Sequence, residues 1–219
     1  MDAARLGGRG RHRRRAVAAA AVIGLVIAAC GGDDAADGDP LVVGQVAEPA
    51  SLDPHAVTAV NDFRITVNLY DGLVRYDSDS LGVEPALATD WSISDDGLTY
   101  TFSLREGVEF HDGTAFDAEA VKFNFDRVLD PSHPYHDTGP FPLANQFFGG
   151  ISEVRVIDAS TVAFDLSDPS AAFLSNLAYP VGLMVSPTAV QESGPDFGRN
   201  PVGTGPFRFV EWIGDERVT

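Results

Sequence analysis

One cysteine, Cys30, stands among 219 residues. It cannot close a disulfide within the chain, and it excludes any metal site built on several thiolates. Basic residues are also scarce beyond the first fifteen positions. With Arg5, Arg9, Arg11, Arg13, Arg14, Arg15 and Asp2 set aside, 9 basic residues face 31 acidic ones, a net charge of −22. Such a surface repels nucleic acid and anionic lipid head groups, so no nucleic-acid partner is expected. It suits solubility outside a cell, and a preference for cationic ligands is the sharper reading of the same charge. The run at residues 16–29 holds only 14 apolar residues, short of the roughly 20 that span a bilayer. Catalytic signatures are missing too: there is no G-x-S-x-G, H-E-x-x-H or G-x-G-x-x-G. The histidines (His12, His55, His111, His133, His136) have no partner nucleophile, so neither a catalytic residue nor a cofactor is expected. His133 and His136 flank no helix, because Pro131 and Pro134 argue against one, and no metal site is expected there.

What the chain does contain begins with a basic stretch followed by that short apolar run. Together they fit a signal peptide over residues 1–29. The run ends Ile27-Ala28-Ala29-Cys30-Gly31, small residues ahead of a cysteine, which looks like a lipobox with Cys30 as the lipidated residue. Ordinary A-x-A cleavage beside an incidental cysteine is the other reading. The Arg13-Arg14-Arg15 run lacks the flanking pattern of twin-arginine export, so a Sec-type signal is expected. Residues 30–40 (CGGDDAADGDP) form a small, acidic, non-periodic tether.

Periodicity then takes over. A short β-rich run over residues 41–46 is expected to open the fold. A loop with two prolines follows, in which Leu52, Asp53 and Pro54 read as rigid structure. Residues 62–70 predict a helix with Phe63, Val67 and Tyr70 on one face, Tyr70 in the core and Gly72 as its C-cap. The most informative stretch is residues 85–129. Trp91 and Ile93 alternate with polar neighbours, Ser94-Asp95-Asp96-Gly97 supplies a turn, and Tyr100, Phe102 and Leu104 alternate with Thr99, Thr101 and Ser103. Val108 and Phe110 continue to a second turn at His111-Asp112-Gly113, where His111 is expected to hydrogen-bond within the turn. Asp117 then caps a helix whose face is Val121, Phe125, Val128 and Leu129. Trp91, Tyr100, Phe102, Phe110 and Phe125 are expected in the core. Farther on, residues 150–166 read as two strands, residues 171–178 as a short helix, residues 184–187 as a strand before another helix, and residues 207–212 as the start of a strand.

Read as strings, P-A-L-A-x-x-W, S-D-D-G-L-T-Y-T-F-x-L-R-x-G-V-x-F-H-D-G-T and A-E-x-V-x-F say more than their periods do. With Leu52-Asp53-Pro54, Tyr70-Asp71-Gly72-Leu73 and Pro201-Val202-Gly203-Thr204-Gly205-Pro206, they resemble bacterial extracellular solute-binding proteins of the peptide/nickel class (family 5). These are receptors that feed ABC importers. The resemblance implies an α/β fold of the type II periplasmic-binding-protein kind, with this chain holding the first lobe and an inserted subdomain as an N-terminal fragment. Lobe I would comprise residues 41–58 and 178–219, and the inserted subdomain residues 59–177. Ala47, Glu48 and Pro49 would line the ligand cleft, as would Gly203, Thr204 and Gly205, where two glycines let the backbone approach something closely. The implied partners are a solute (peptide first; nickel complex, opine or sugar also open), the importer permease and the membrane through the lipid anchor. The protein would be a monomer on the outer face of the cytoplasmic membrane. A lipid-anchored hydrolase or a structural lipoprotein on the same scaffold is the alternative.

Overall fold

A computed structural model describes residues 41–80 and 82–219. The signal segment, Cys30 and the tether lie outside the described residues. Helix α1 (Val60–Leu69) comes first and buries Asp62, Phe63, Thr66 and Leu69. Strands β1 (Val74–Tyr76) and β2 (Val83–Pro85) form a small antiparallel pair. Next come β3 (Ala88–Ile93), β4 (Thr99–Leu104) and α2 (Ala118–Leu129), then the single-turn helix α3 (Ala144–Phe148). Strands β5 (Ile151–Asp158) and β6 (Thr161–Leu166) follow, then α4 (Phe173–Leu177) and α5 (Pro187–Ser193). A final short pair, β7 (Trp212–Ile213) with β8 (Arg217–Val218), ends the order.

The main sheet has four strands in the order β3-β4-β6-β5, all antiparallel. Two hairpins build it, and they join side by side through β4 and β6. The first turns at Gly97, whose φ of +71° is open to glycine at little cost. Alternation decides which side each residue takes: Tyr100, Phe102 and Leu104 face Phe164 and Val162 inward, while Thr99, Thr101 and Ser103 face out. Helix α2 lies on the inner face. Its start is fixed by Asp117, whose carboxylate accepts the Ala120 N–H at 2.9 Å. Phe125 meets Phe164 and Phe148 with ring centroids 4.8 and 5.2 Å apart, near-perpendicular.

A second, smaller core gathers Leu52, Leu69, Tyr70, Leu183, Val185, Val190 and Phe197. Both cores belong to one unit, residues 45–219.

Six expectations need correction. Residues 41–46 form no strand: Leu41, Val42, Val43 and Val46 are exposed, and no described strand pairs with them. Val67 is exposed, because a helix that buries Phe63 and Thr66 rotates the next position by about 100° toward solvent. Gly72 does not cap α1; Tyr70 does, and Gly72 bridges to Leu183. Residues 184–187 make no strand, since Met184 spends its N–H on Asp71 O (2.8 Å) and Ser186 caps α5. Trp91 is only half-buried: β3 is an edge strand, so Phe102 covers the indole from one side alone. Of the strand read at residues 207–212, only Trp212 pairs, and Phe207 and Val210 are exposed.

Candidate functional site

The proline-bracketed loop is built from the inside out. Leu52 is fully buried and accepts the Tyr70 hydroxyl at 2.8 Å on its carbonyl. Asp53 and His55, also buried, meet Arg127 of α2, which is 0% exposed. Arg127 pairs with Asp53, donates Nε–H to Thr138 at 2.9 Å, and lies over the rings of Phe141 and Phe197 at 4.8 and 5.5 Å. His55 Nε2 donates to Leu183 O at 2.8 Å, which leaves Nδ1 without a proton and facing the guanidinium. Burial, with Arg127 adding to it, holds the His55 pKa down at about 4. One turn before Arg127, Asn124 exchanges two hydrogen bonds of 2.9 Å with the backbone of Val185. These buried groups make the loop structural.

Ahead of that anchor, Ala47 and Glu48 are exposed and Pro49 is buried. The loop is tied to the start of α1, where Asp62 accepts the Ala50 N–H at 3.1 Å. Glu48 accepts Trp212 Nε1–H at 2.8 Å, and the Arg199 guanidinium lies over the same indole, 3.5 Å from its centre. The Trp212 hydrogen bond, helped by hydrogen bonds from Asp215 and least by the Arg199 charge, holds the Glu48 carboxyl below its ordinary range. The result is an exposed carboxylate that is charged and held in place, able to pair with a cationic or N–H-bearing group.

Gly203, Thr204 and Gly205 sit elsewhere. A Cβ at Gly203 would come within 2.3 Å of Leu69 O and Tyr70, and one at Gly205 within 2.5 Å of the Leu69 carbonyl carbon. What the two glycines approach is therefore the end of α1. Gly205 N–H bonds Leu69 O at 3.0 Å and the Thr204 hydroxyl bonds Asp71 at 3.0 Å, so their polar groups are spent on the chain itself. His111 departs from its expected role as well. Its N–H donates to Gly203 O and its Nε2 to Gly205 O, each at 2.8 Å, so it bonds across to the glycine segment instead of within its turn. Asp112 takes the Ser186 hydroxyl at 2.5 Å. Burial pushes Asp112 up, but the Ser186 and Thr114 hydrogen bonds together outweigh it and leave its carboxyl below the usual range. Arg127 lies off the apolar stripe of α2, on a face that periodicity reads as solvent, and Asn124 borders the stripe between Val121 and Val128 but carries a polar side chain that hydropathy does not mark as buried.

A groove of about 560 Å³ opens between Val67, Val74, Ala178, Pro180, Leu183 and Pro206, away from Glu48. Among the described residues no cluster of three or more His, Cys, Asp or Glu could hold a metal. His133 accepts the Tyr135 N–H at 3.3 Å and His136 donates to Arg127 O at 2.9 Å.

The family model for bacterial extracellular solute-binding proteins, family 5 (middle), matches residues 82–219, more than half of the chain. The chain belongs to that family. It is 40% identical over 162 residues to the glutathione-binding protein GsiB of Pectobacterium atrosepticum, a match covering 74% of this chain and 30% of that protein. Among solved structures it resembles the dipeptide-binding protein of Pseudoalteromonas sp. SM9913 in complex with Met-Leu. That match has a TM-score of 0.75 and 32% identity over 80% of this chain and 38% of the other. It also resembles the ABC transporter-associated periplasmic binding protein DppA of Helicobacter pylori in complex with the peptide STSA, at TM-score 0.70 and 35% identity, covering 78% of this chain and 36% of that one. The fold is thus part of a type II periplasmic-binding-protein fold, and this family 5 chain spans about a third of the length of the relatives it matches.

Proposed function

We propose that this chain is part of an extracytoplasmic receptor that captures a short peptide and delivers it to the permease of an ABC importer. The observation that carries the reading is the family match, joined to relatives named for glutathione, a dipeptide and a tetrapeptide. The exposed and anchored Glu48, with Ala47 and Pro49, forms one edge of the binding cleft. A carboxylate there suits a peptide ammonium or backbone N–H. Residues 41–58 and 178–219 belong to the first lobe and residues 59–177 to the subdomain inserted in it. Ligand that touches both lobes better when they are closed shifts the receptor toward closure, and the permease reads the closed form. The receptor works as a monomer without catalysis, held to the outer face of the cytoplasmic membrane by acyl chains on Cys30.

The test is calorimetric titration of the full-length protein with Met-Leu, glutathione and Ni(L-His), with mass spectrometry of the ligand afterwards. Binding of a peptide that is recovered intact is the expected result. Peptide hydrolysis, or binding of the nickel complex alone, would overturn the reading. Fatty-acid labelling of the exported protein reports on Cys30, where an unmodified thiol would remove the anchor but not the receptor.

A further inference from the structure

Two glycine-containing turns, 90 residues apart in sequence, meet in space. His111-Asp112-Gly113 is a stiff finger: Phe110 and Phe116 root it in the sheet core with ring centroids 5.9 Å apart, and Phe110 N–H closes on Thr114 O at 2.8 Å. Its tip makes three hydrogen bonds outward, from the His111 N–H to Gly203 O, from the His111 ring to Gly205 O, and from Ser186 to Asp112. On the far side, Gly203 and Gly205 press on Leu69 and Tyr70 with no room for a Cβ. The Gly203–Gly205 segment is therefore gripped between the finger and the end of α1. Seven residues after Gly205, the same segment supplies Trp212, whose indole N–H holds Glu48.

We infer that His111 is a positioning residue, the donor of a latch that fixes the Gly203–Gly205 segment and, through Trp212, the Glu48 rim. This rests on the receptor reading for its functional consequence but not for its geometry. The imidazole is suited to the task because one Nε2–H reaches a second carbonyl beyond the one its own N–H already holds. Two carbonyls on one segment, fixed from one residue, remove both sliding and rotation of that segment. The finger comes from the sheet body and the gripped segment from the smaller core, so the latch also sets the angle between them.

The experiment uses the full-length protein with Cys30→Ser, spin-labelled at Glu106 and Arg208, both exposed. Distance distributions are recorded without ligand. A single narrow peak is expected for the parent, a broadened or split one for His111→Phe, which keeps ring volume and removes the donor, and recovery of the narrow peak with His111→Gln. Met-Leu affinity should fall about tenfold in His111→Phe, mainly through faster release, as one hydrogen bond's contribution allows. If His111→Phe does not fold, His111→Ala takes its place, with broadening again expected. An unchanged narrow peak in the variant that folds overturns the latch. Absence of binding to both Met-Leu and glutathione by the parent overturns the receptor reading instead, and the ligand-free distances still decide the latch.

Discussion

Around β4 and β6 the buried groups are almost all hydrocarbon and aromatic: Tyr100, Phe102, Val162, Phe164, Phe125 and Phe148. The other core, reached through the far side of α2, mixes Leu52, Val185 and Phe197 with buried Asp53, His55, Asn124, Arg127 and Ser186. The first kind of packing is forgiving, since apolar side chains of similar volume replace one another at small cost. In the second, each polar group depends on a named partner from a distant segment, and a lost partner leaves a desolvated donor or acceptor behind. Among the described residues no buried side-chain nitrogen or oxygen lacks a partner. Helix α2 serves both regions: Val121 and Phe125 face the sheet, while Asn124 bonds the Val185 backbone and Arg127 meets Asp53 and His55 of the loop that follows Glu48. The loop that follows Glu48 is therefore held by a network whose members specify one another, and the sheet body supplies the mass on which that network stands.

The largest effect should come from cutting that network. Arg127→Leu leaves the Asp53 carboxylate buried without its cation and should destabilise the protein by about 3–5 kcal/mol. The double variant Arg127→Leu/Asp53→Leu should recover part of that loss, because no unpaired charge then remains. Urea unfolding of the three proteins checks it. A single variant that costs no more than the double would put Asp53 in contact with water and blur the contrast between the regions.

Next in size is the pH response of the same region. The folded protein keeps His55 neutral, with a pKa of about 4 against an ordinary 6.5, while the unfolded chain takes up the proton. Stability is therefore fully present above pH 6.5 and falls as the pH drops toward about 4, by about 3 kcal/mol at the lower end. Replacing His55 by Gln, which keeps a donor for Leu183 O, should flatten that part of the profile. An identical slope in the variant would assign the acid sensitivity to carboxylates elsewhere.

The contrast also explains what could be read in advance. The hairpins, the Asp117 cap and the α2 face were legible because a strand's period of two and a helix's 3.6 write apolar packing directly into the order of residues. The smaller core obeys no such period. Asp53, His55 and Arg127 lie 74 residues apart at their extremes, and nothing local marks them as partners. Trp91 was placed on the right face, yet burial depends on strand order, which an edge position reduces. The glycines of residues 203–205 signalled a close approach but could not say to what; the helix end and His111 became visible only once the two segments were side by side. Val67 shares an apolar period with Phe63, but the buried stripe of α1 runs through Asp62, Phe63, Thr66 and Leu69, and hydropathy does not mark its two polar members.

Native-state hydrogen exchange is the most direct test that α2 joins the two regions into one cooperative unit. The account predicts that the slowest amides of β4 and β6 and those of Val185 and Val190 exchange with the same opening free energy, and that Arg127→Leu lowers both together. Separate opening of the Val185–Val190 segment at a clearly lower free energy, with β4 and β6 untouched by Arg127→Leu, would contradict it.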